Sequence, residues 1–402
     1  MLSPRSLAVA SPPVDPPTHA WPTYALAARV VEALEIALVA VDRLTPAAGA
    51  FDAAPPLAPL REVALLLRAV CRLDADRHPA LVQQGQEVAT ALAQVARAPA
   101  MAQRLAWHPA EAREIAFAHM VLTASGLPDD RFHARLARAL AAPISGSGER
   151  LPHERLRHAW LALLDATGAD ALDVMADRTS VASPIDLCAA TPTDLAAVAD
   201  AVRWVTDLGG REARLARAPR ALLAELEGAL AVALDADDVT LAADVLLAWP
   251  ALHAEWPPSA SFAFGWVVAR ESVRRASLAA ACALGTLAAV ALLGPSRPLC
   301  TWPADTARAP LWHMLRGRLD DRPHVSWLAQ LDAAPWEQQR GVTTLLLDVA
   351  LRRAVEAHDL ASVRELLVAV EACGARGTAL CAQAAALLAR VDGDVPAVVA
   401  GG

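Results

Sequence analysis

Apolar residues recur along this chain at helical spacing, and each amphipathic run stops at a turn built from Gly, Asp and Pro. Four runs carry the pattern. Leu60–Leu73 ends at Asp74-Ala75-Asp76-Arg77-His78-Pro79. Glu111–Ala124 ends at Ser125-Gly126-Leu127-Pro128-Asp129-Asp130-Arg131. Leu156–Ala166 ends at Thr167-Gly168-Ala169-Asp170, and Asp194–Val205 ends at Thr206-Asp207-Leu208-Gly209-Gly210-Arg211. Gly supplies the left-handed backbone that closes a helix, and Asp caps the next one. The runs begin roughly 40–50 residues apart, the period of two-helix repeats, in which one hairpin buries its apolar face only against its neighbours. The fold class expected is therefore all-α, an irregular α/α hairpin array arranged as a superhelix or toroid.

Composition agrees. Of 402 residues 55% are hydrophobic, while Tyr and Phe number only 1 and 5. That balance disfavours strands and favours helices. There is no Lys and no Asn, so the 36 basic residues are all Arg. This excludes a P-loop lysine and a Schiff-base lysine. A net charge of −8 disfavours nucleic acid as a partner. Cys71, Cys188, Cys282, Cys300, Cys373 and Cys381 form no C-x-x-C pair, which predicts free thiols and a cytoplasmic setting.

Three boundaries follow. Residues 1–19 read as a Pro-rich disordered tail, 20–294 as the main hairpin array, and 295–402 as a smaller C-terminal helical unit beyond the Pro-rich stretch Leu293 to Pro310. From Ala276 to Gly294 no residue is charged, so this is the one segment with a claim to a membrane. It is mostly Ala, and a helix buried on all sides by protein fits better. The array is thus expected to wrap this helix, with any site on its inner face beside Gly126, Gly168 and Gly209.

The candidate chemistry centres on histidine. Asp129-Asp130-Arg131-Phe132-His133 echoes Asp320-Asp321-Arg322-Pro323-His324, and in each a carboxylate precedes a His by one helical turn. Asp130, His133, Asp321 and His324 are therefore candidate metal ligands, although Asp-Asp-Arg also reads as a helix cap with an exposed first turn. His119 lies in an apolar run, and His158 shares a helical face with Glu154. His119, His133, His158 and Asp130 are the candidate catalytic groups. His153-Glu154-Arg155-Leu156-Arg157-His158 lacks the one-turn His spacing of a zinc-protease helix. No G-x-S-x-G elbow or dinucleotide-binding glycine pattern occurs, and no cofactor is specified. Trp21, Trp249, Trp256 and Trp302 each precede a Pro and are expected to pack at hairpin corners.

The stretch Thr193 to Gly210, closing on Val205-Thr206-Asp207-Leu208-Gly209, resembles a motif in a family of uncharacterised helical-repeat proteins from actinobacteria. There a helix carries a Thr-His pair and ends in Thr-Asp-Phe-Gly. Thr206, Asp207 and Gly209 match, Leu208 stands in the Phe position, and Val198-Ala199 occupies the place of the His. The segment Ala112 to Leu140 is similar in style. The resemblance implies a helical fold and no known activity. The functional expectation is a non-catalytic scaffold that binds a protein or peptide, such as an accessory factor in a biosynthetic pathway. The alternative is an enzyme of a natural-product pathway with a His/Asp, metal-binding pocket inside a helical barrel.

Overall fold

The computed structural model describes residues 21–45, 54–142, 151–164, 169–270, 275–294, 297–298, 309–319, 326–332, 339, 342–373 and 377–393. The tail, Gly168, Cys300, Trp302, Asp321 and His324 lie outside the described residues. The protein is all-α, with no strand among the described residues. In chain order the helices are α1 (Thr23–Leu44), α2 (Leu57–Val70), α3 (Pro79–Ala96), α4 (Pro99–Trp107), α5 (Ala112–Ile115), α6 (Phe117–Ala124), α7 (Asp130–Leu140), α8 (Pro152–Leu164), α9 (Ala169–Ala176) and α10 (Pro192–Val205). They continue with α11 (Pro219–Asp235), α12 (Val239–Leu246), α13 (Ala248–Ala251), α14 (Pro258–Ala269), α15 (Leu278–Leu293), α16 (Ala309–Leu319), α17 (Ser326–Asp332), α18 (Thr343–Glu356), α19 (Leu360–Ala372) and α20 (Ala379–Val391).

The turn chemistry operates much as the residues predict. Gly126 takes φ 85°, and the Leu127 N–H reaches the Leu122 carbonyl at 2.9 Å while Gly126 N–H reaches Thr123 at 3.1 Å. These are the two bonds of a Schellman closure. Asp129 then caps α7, its carboxylate accepting from Phe132 N–H at 2.8 Å. The run Glu111–Ala124 is not one helix, however. Ala116, at φ −88° and ψ 4°, breaks it into α5 and α6, with Ile115 and Phe117 both buried across the break.

The uncharged segment forms α15, capped by Ser277, and every residue from Ala280 to Leu292 is buried. It packs against α1, α2, α12 and α13. Among the described residues no helix is long and apolar enough to cross a membrane. Small side chains let α1 approach closely. A Cβ on Gly285 would overlap the Ala33 Cβ and come within 3.0 Å of Leu66 Cδ1. Gly265 has only Trp21 Cζ2 at 3.9 Å. Gly285→Val is therefore expected to cost about 1–3 kcal/mol by overpacking, whereas Gly265→Ala should leave the urea midpoint unchanged or raised.

The Trp-Pro corners pack as aromatic contacts: Trp21 meets Phe264 edge-on at 5.0 Å, and Trp249 and Trp256 lie 6.2 Å apart, both buried. The C-terminal helices contact the preceding helices through specific polar bonds. Arg353 of α18 donates to Asp235 of α11 at 3.1 Å. Gln383 of α20 donates to the Ile185 carbonyl at 2.6 Å and accepts from Leu187 N–H at 2.7 Å.

Candidate functional site

The end of α10 gathers side chains from two other helices. The Leu208 N–H bonds the Arg203 carbonyl at 2.9 Å and the Asp207 N–H bonds Trp204 at 3.1 Å, another Schellman closure. Here the residue in the left-handed closing position is Asp207, at φ 46°, and not a glycine; Leu208 (56°) and Gly209 (75°) continue in that region. A non-glycine residue there costs roughly 1–2 kcal/mol. The compensation lies in what the turn holds. Leu208 is fully buried, and the Asp207 carboxylate accepts from Arg68 Nη2 at 2.7 Å, from Trp160 Nε1 at 2.9 Å and from Arg72. The Arg72 guanidinium also bonds the Asp207 carbonyl and lies where a Cβ on Gly210 would stand. The turn therefore ties α2, α8 and α10 together.

Beside it lies a cavity of about 310 Å³. Its walls come from α2 (Arg61, Glu62, Leu65), α5 and α6 (Glu114, Phe117), α8 (Arg157, Trp160, Leu161), α10 (Ala196, Asp200, Arg203, Trp204), α12 (Thr240, Asp244) and α15 (Ala279). Trp160 belongs to both features: its indole N–H is held by Asp207 while its ring faces the cavity. The wall combines aromatic surface with paired charges. Arg157 Nε bonds Glu114 Oε1 at 2.6 Å, Arg61 meets Glu62 at 3.1 Å, and Arg203 bridges Asp200 at 3.0 Å and Asp244.

Those pairs leave an imbalance. Three arginines face four carboxylates, so the wall carries a net formal charge of −1. The excess gathers around Arg203. Burial pulls its guanidinium pKa down, but Asp244, Asp200 and Glu62 together outweigh burial and hold it above its ordinary value. Asp244 is pushed up to about 6, first by desolvation and further by Asp200 and Glu62, against the attraction of Arg203. Arg203 is 7% exposed, and its Nε has no hydrogen-bond partner among the described residues.

The residues singled out from sequence fall in three places. His119 is buried on α6, where Arg97 Nε donates to its Nδ1 at 3.1 Å. Its ring lies 4.7 Å from Phe132 and 6.0 Å from His133, and its Nε2 has no partner among the described residues. Burial, then Arg97 and His133, push its pKa down to about 4. His158, on α8, lies 4.0 Å from Glu114 Oε1. Asp130 and His133 are both exposed on the first turn of α7. The structure thus brings the His119 and His133 rings together, with Asp130 on the same exposed turn as His133, while His158 lies on α8 beside Glu114. Among the described residues no group of three or more His, Cys, Asp or Glu side chains is arranged to hold a metal.

Neutral His119 carries a pH dependence. Its lowered pKa means that the unfolded chain binds the extra proton first, so stability falls as pH drops from about 6.5 to about 4. The expected loss is about 3 kcal/mol, and in His119→Gln the slope over that window should fall by nearly one proton in denaturation curves.

Sequence reasoning missed the cavity's main charges. One signal was present: Asp244 is the only charged residue between Val239 and Ala251, and Arg203 stands in the otherwise apolar last turn of α10. A second groove, of about 580 Å³, is larger and shallower and lies between α8 and α10. Its Asp194 is spent in the Thr191 capping box and its Asp186 on Cys188 N–H. The His153 ring packs on Trp204 at 4.7 Å, so Trp204 is the partition between groove and cavity.

No curated protein and no solved structure matches this chain. The sequence model of one family, described as "Domain of unknown function (DUF6895)", matches residues 30–290, a span that includes every residue of the cavity wall and the Asp207 turn. The chain belongs to that family.

Proposed function

We propose that the protein is a non-catalytic binding protein whose site is the cavity beside the Asp207 turn, and that its guest is a small molecule or a segment of a peptide partner. The observation that carries the reading is the wall itself. Aromatic rings and paired, partly buried charges converge on one cavity from helices far apart in sequence, the composition of ligand pockets. Its volume lies at the lower end of their range, about 300–1,000 Å³. The reading includes a protein or peptide partner, no nucleic acid and a cytoplasmic setting, supported by the acidic net charge and the free thiols among the described cysteines.

The test uses the cavity's own tryptophans. Titration of small polar-apolar compounds and short peptides should change Trp160 and Trp204 fluorescence, and Ala279→Leu, which fills the wall, should abolish the change while the chain keeps its helical circular dichroism. Turnover of a bound compound would overturn the non-catalytic reading. Responses that survive Ala279→Leu would overturn the site.

A further inference from the structure

Helix α7 divides sharply between two sides. Phe132, Leu136 and Ala139 are buried, while Arg131, Arg135 and Arg138 recur one and two turns apart along a single stripe. Arg131 and Arg138 are exposed and Arg135 is half-buried. Elsewhere such arginines meet carboxylates, as Arg29 meets Glu32, Arg211 meets Asp173 and Arg316 meets Asp332. Among the described residues the α7 stripe forms no ion pair, and Arg138 Nε donates to the Ala134 carbonyl of its own helix at 3.3 Å. Asp130, in the first turn, projects from the other side of the helix.

Arg135 and Arg138 also line a groove of about 490 Å³ between α7 and α4. Its α4 side is small and apolar, with Ala102 and Ala106, and the buried Leu105 and Ala139 belong to its lining. No carboxylate is among the described lining residues. Trp107 stands between two of them, Ala106 and Pro109, with its side chain 70% exposed. A bare indole beside an apolar trough and unpaired arginines is the pairing of residue types found at the centre of protein interfaces. The chain as a whole carries −8, so this positive stripe is a local exception that selects for acidic partners and steers them. An anionic membrane or a nucleic acid would extend over the acidic remainder of the surface, whereas a short acidic segment need touch only the groove.

We infer that the α4–α7 groove docks an acidic amphipathic helix of a partner protein. Its carboxylates meet Arg131, Arg135 and Arg138, its small apolar face lies over Ala102 and Ala106, and a larger apolar side chain covers Trp107. The stripe runs about 10 Å along the axis of α7, the spread of carboxylates one and two turns apart on a helix laid beside it. Helix-in-groove docking of this kind takes its affinity from the apolar face and its orientation from the charged rim. The groove shares no lining residue with the cavity beside Asp207, so this surface is independent of any guest there.

Fluorescence anisotropy of the full chain with a labelled helical peptide of about 15 residues tests the surface. The peptide carries Glu at one- and two-turn spacing on one side and Leu and Ala on the adjoining side. Its Gln counterpart is expected to bind about tenfold more weakly, and raising the salt from about 0.05 to about 0.5 M should weaken the Glu peptide by a similar factor. Arg131→Glu with Arg138→Glu, both at exposed positions, should weaken it about tenfold or more, and Trp107→Ala about fivefold. Circular dichroism confirms that each variant is folded. Ala279→Leu, which fills the separate cavity, should leave the affinity unchanged. No binding of the Glu peptide, equal binding of the Gln peptide, or full affinity in either folded variant overturns the inference. Loss of binding in Ala279→Leu assigns the peptide to the cavity and overturns it as well. Tighter binding to phosphatidylserine vesicles or to single-stranded DNA than to the peptide, lost in the double arginine variant, overturns the choice of partner.

Discussion

Asp207→Ala is expected to destabilise the protein by about 3–5 kcal/mol, the cost of breaking a buried ion pair from one side. The carboxylate is 4% exposed and serves Arg68, Arg72 and the Trp160 indole at once. Its removal leaves two partly buried guanidinium groups facing each other, and the Arg72 pKa, already pulled down by burial, loses the charge that holds it up. Alanine also retains the left-handed strain at φ 46°. Asp207→Gly removes that strain while losing the same charge, so it should be less damaging than alanine by about 1 kcal/mol. Asp207→Asn tolerates the backbone and keeps one acceptor for Trp160, and should fall between glycine and wild type. Urea denaturation of the three variants gives the order. If alanine and glycine prove equal, backbone strain at Asp207 is absent; if asparagine matches wild type, the ion pairs contribute nothing.

That turn also shows how far sequence reasoning reached. The Thr206-Asp207-Leu208-Gly209 segment was recognisable as a helix terminus, because an apolar run stops there at Gly and Asp. Its left-handed closing residue was not, since glycine normally takes that position and Asp207 takes it here only because Arg68 and Arg72 arrive from a helix more than a hundred residues earlier. The buried helix α15 was legible for a simpler reason: a run without charge must be covered on every side, and Ser277 marks where it starts. The exposed Asp130 and His133 read as a possible ligand pair because one helical turn separates them, yet a spacing rule knows nothing of a third ligand.

The cavity was the least legible part. Each of its charges occupies an ordinary position on an amphipathic helix. Glu62 and Asp200 look like solvent-facing residues until α2, α8, α10 and α12 are set around one space. Local periodicity reports which face of a helix is polar, and carries no record of which polar faces turn towards one another. Asp244 was the exception, a lone carboxylate in an apolar run, where burial costs enough that a partner must be present.

A second lone carboxylate makes the same point with a larger consequence. Asp348, in the apolar first half of α18, is 1% exposed and accepts from the Thr378 hydroxyl at the N-cap of α20. Burial pushes its pKa from 3.8 up to about 8; the Thr378 bond opposes the shift and nearby Glu227 adds to it. The folded protein therefore holds a proton that the unfolded chain releases above 3.8. The stability this contributes is fully present below that value and is lost as pH rises to about 8. At about 1.4 kcal/mol per unit, Asp348→Asn, which keeps the acceptor for Thr378 and cannot ionise, should stabilise the protein by about 5 kcal/mol at pH 8 and leave it nearly unchanged at pH 4. Denaturation midpoints across that range test the sign as well as the size. Thr378→Val gives an independent check. Removing a bond that favours the charged carboxylate should move the folded-state pKa higher still and extend the falling limb beyond pH 8. If the limb instead shortens, the hydroxyl is stabilising the protonated form.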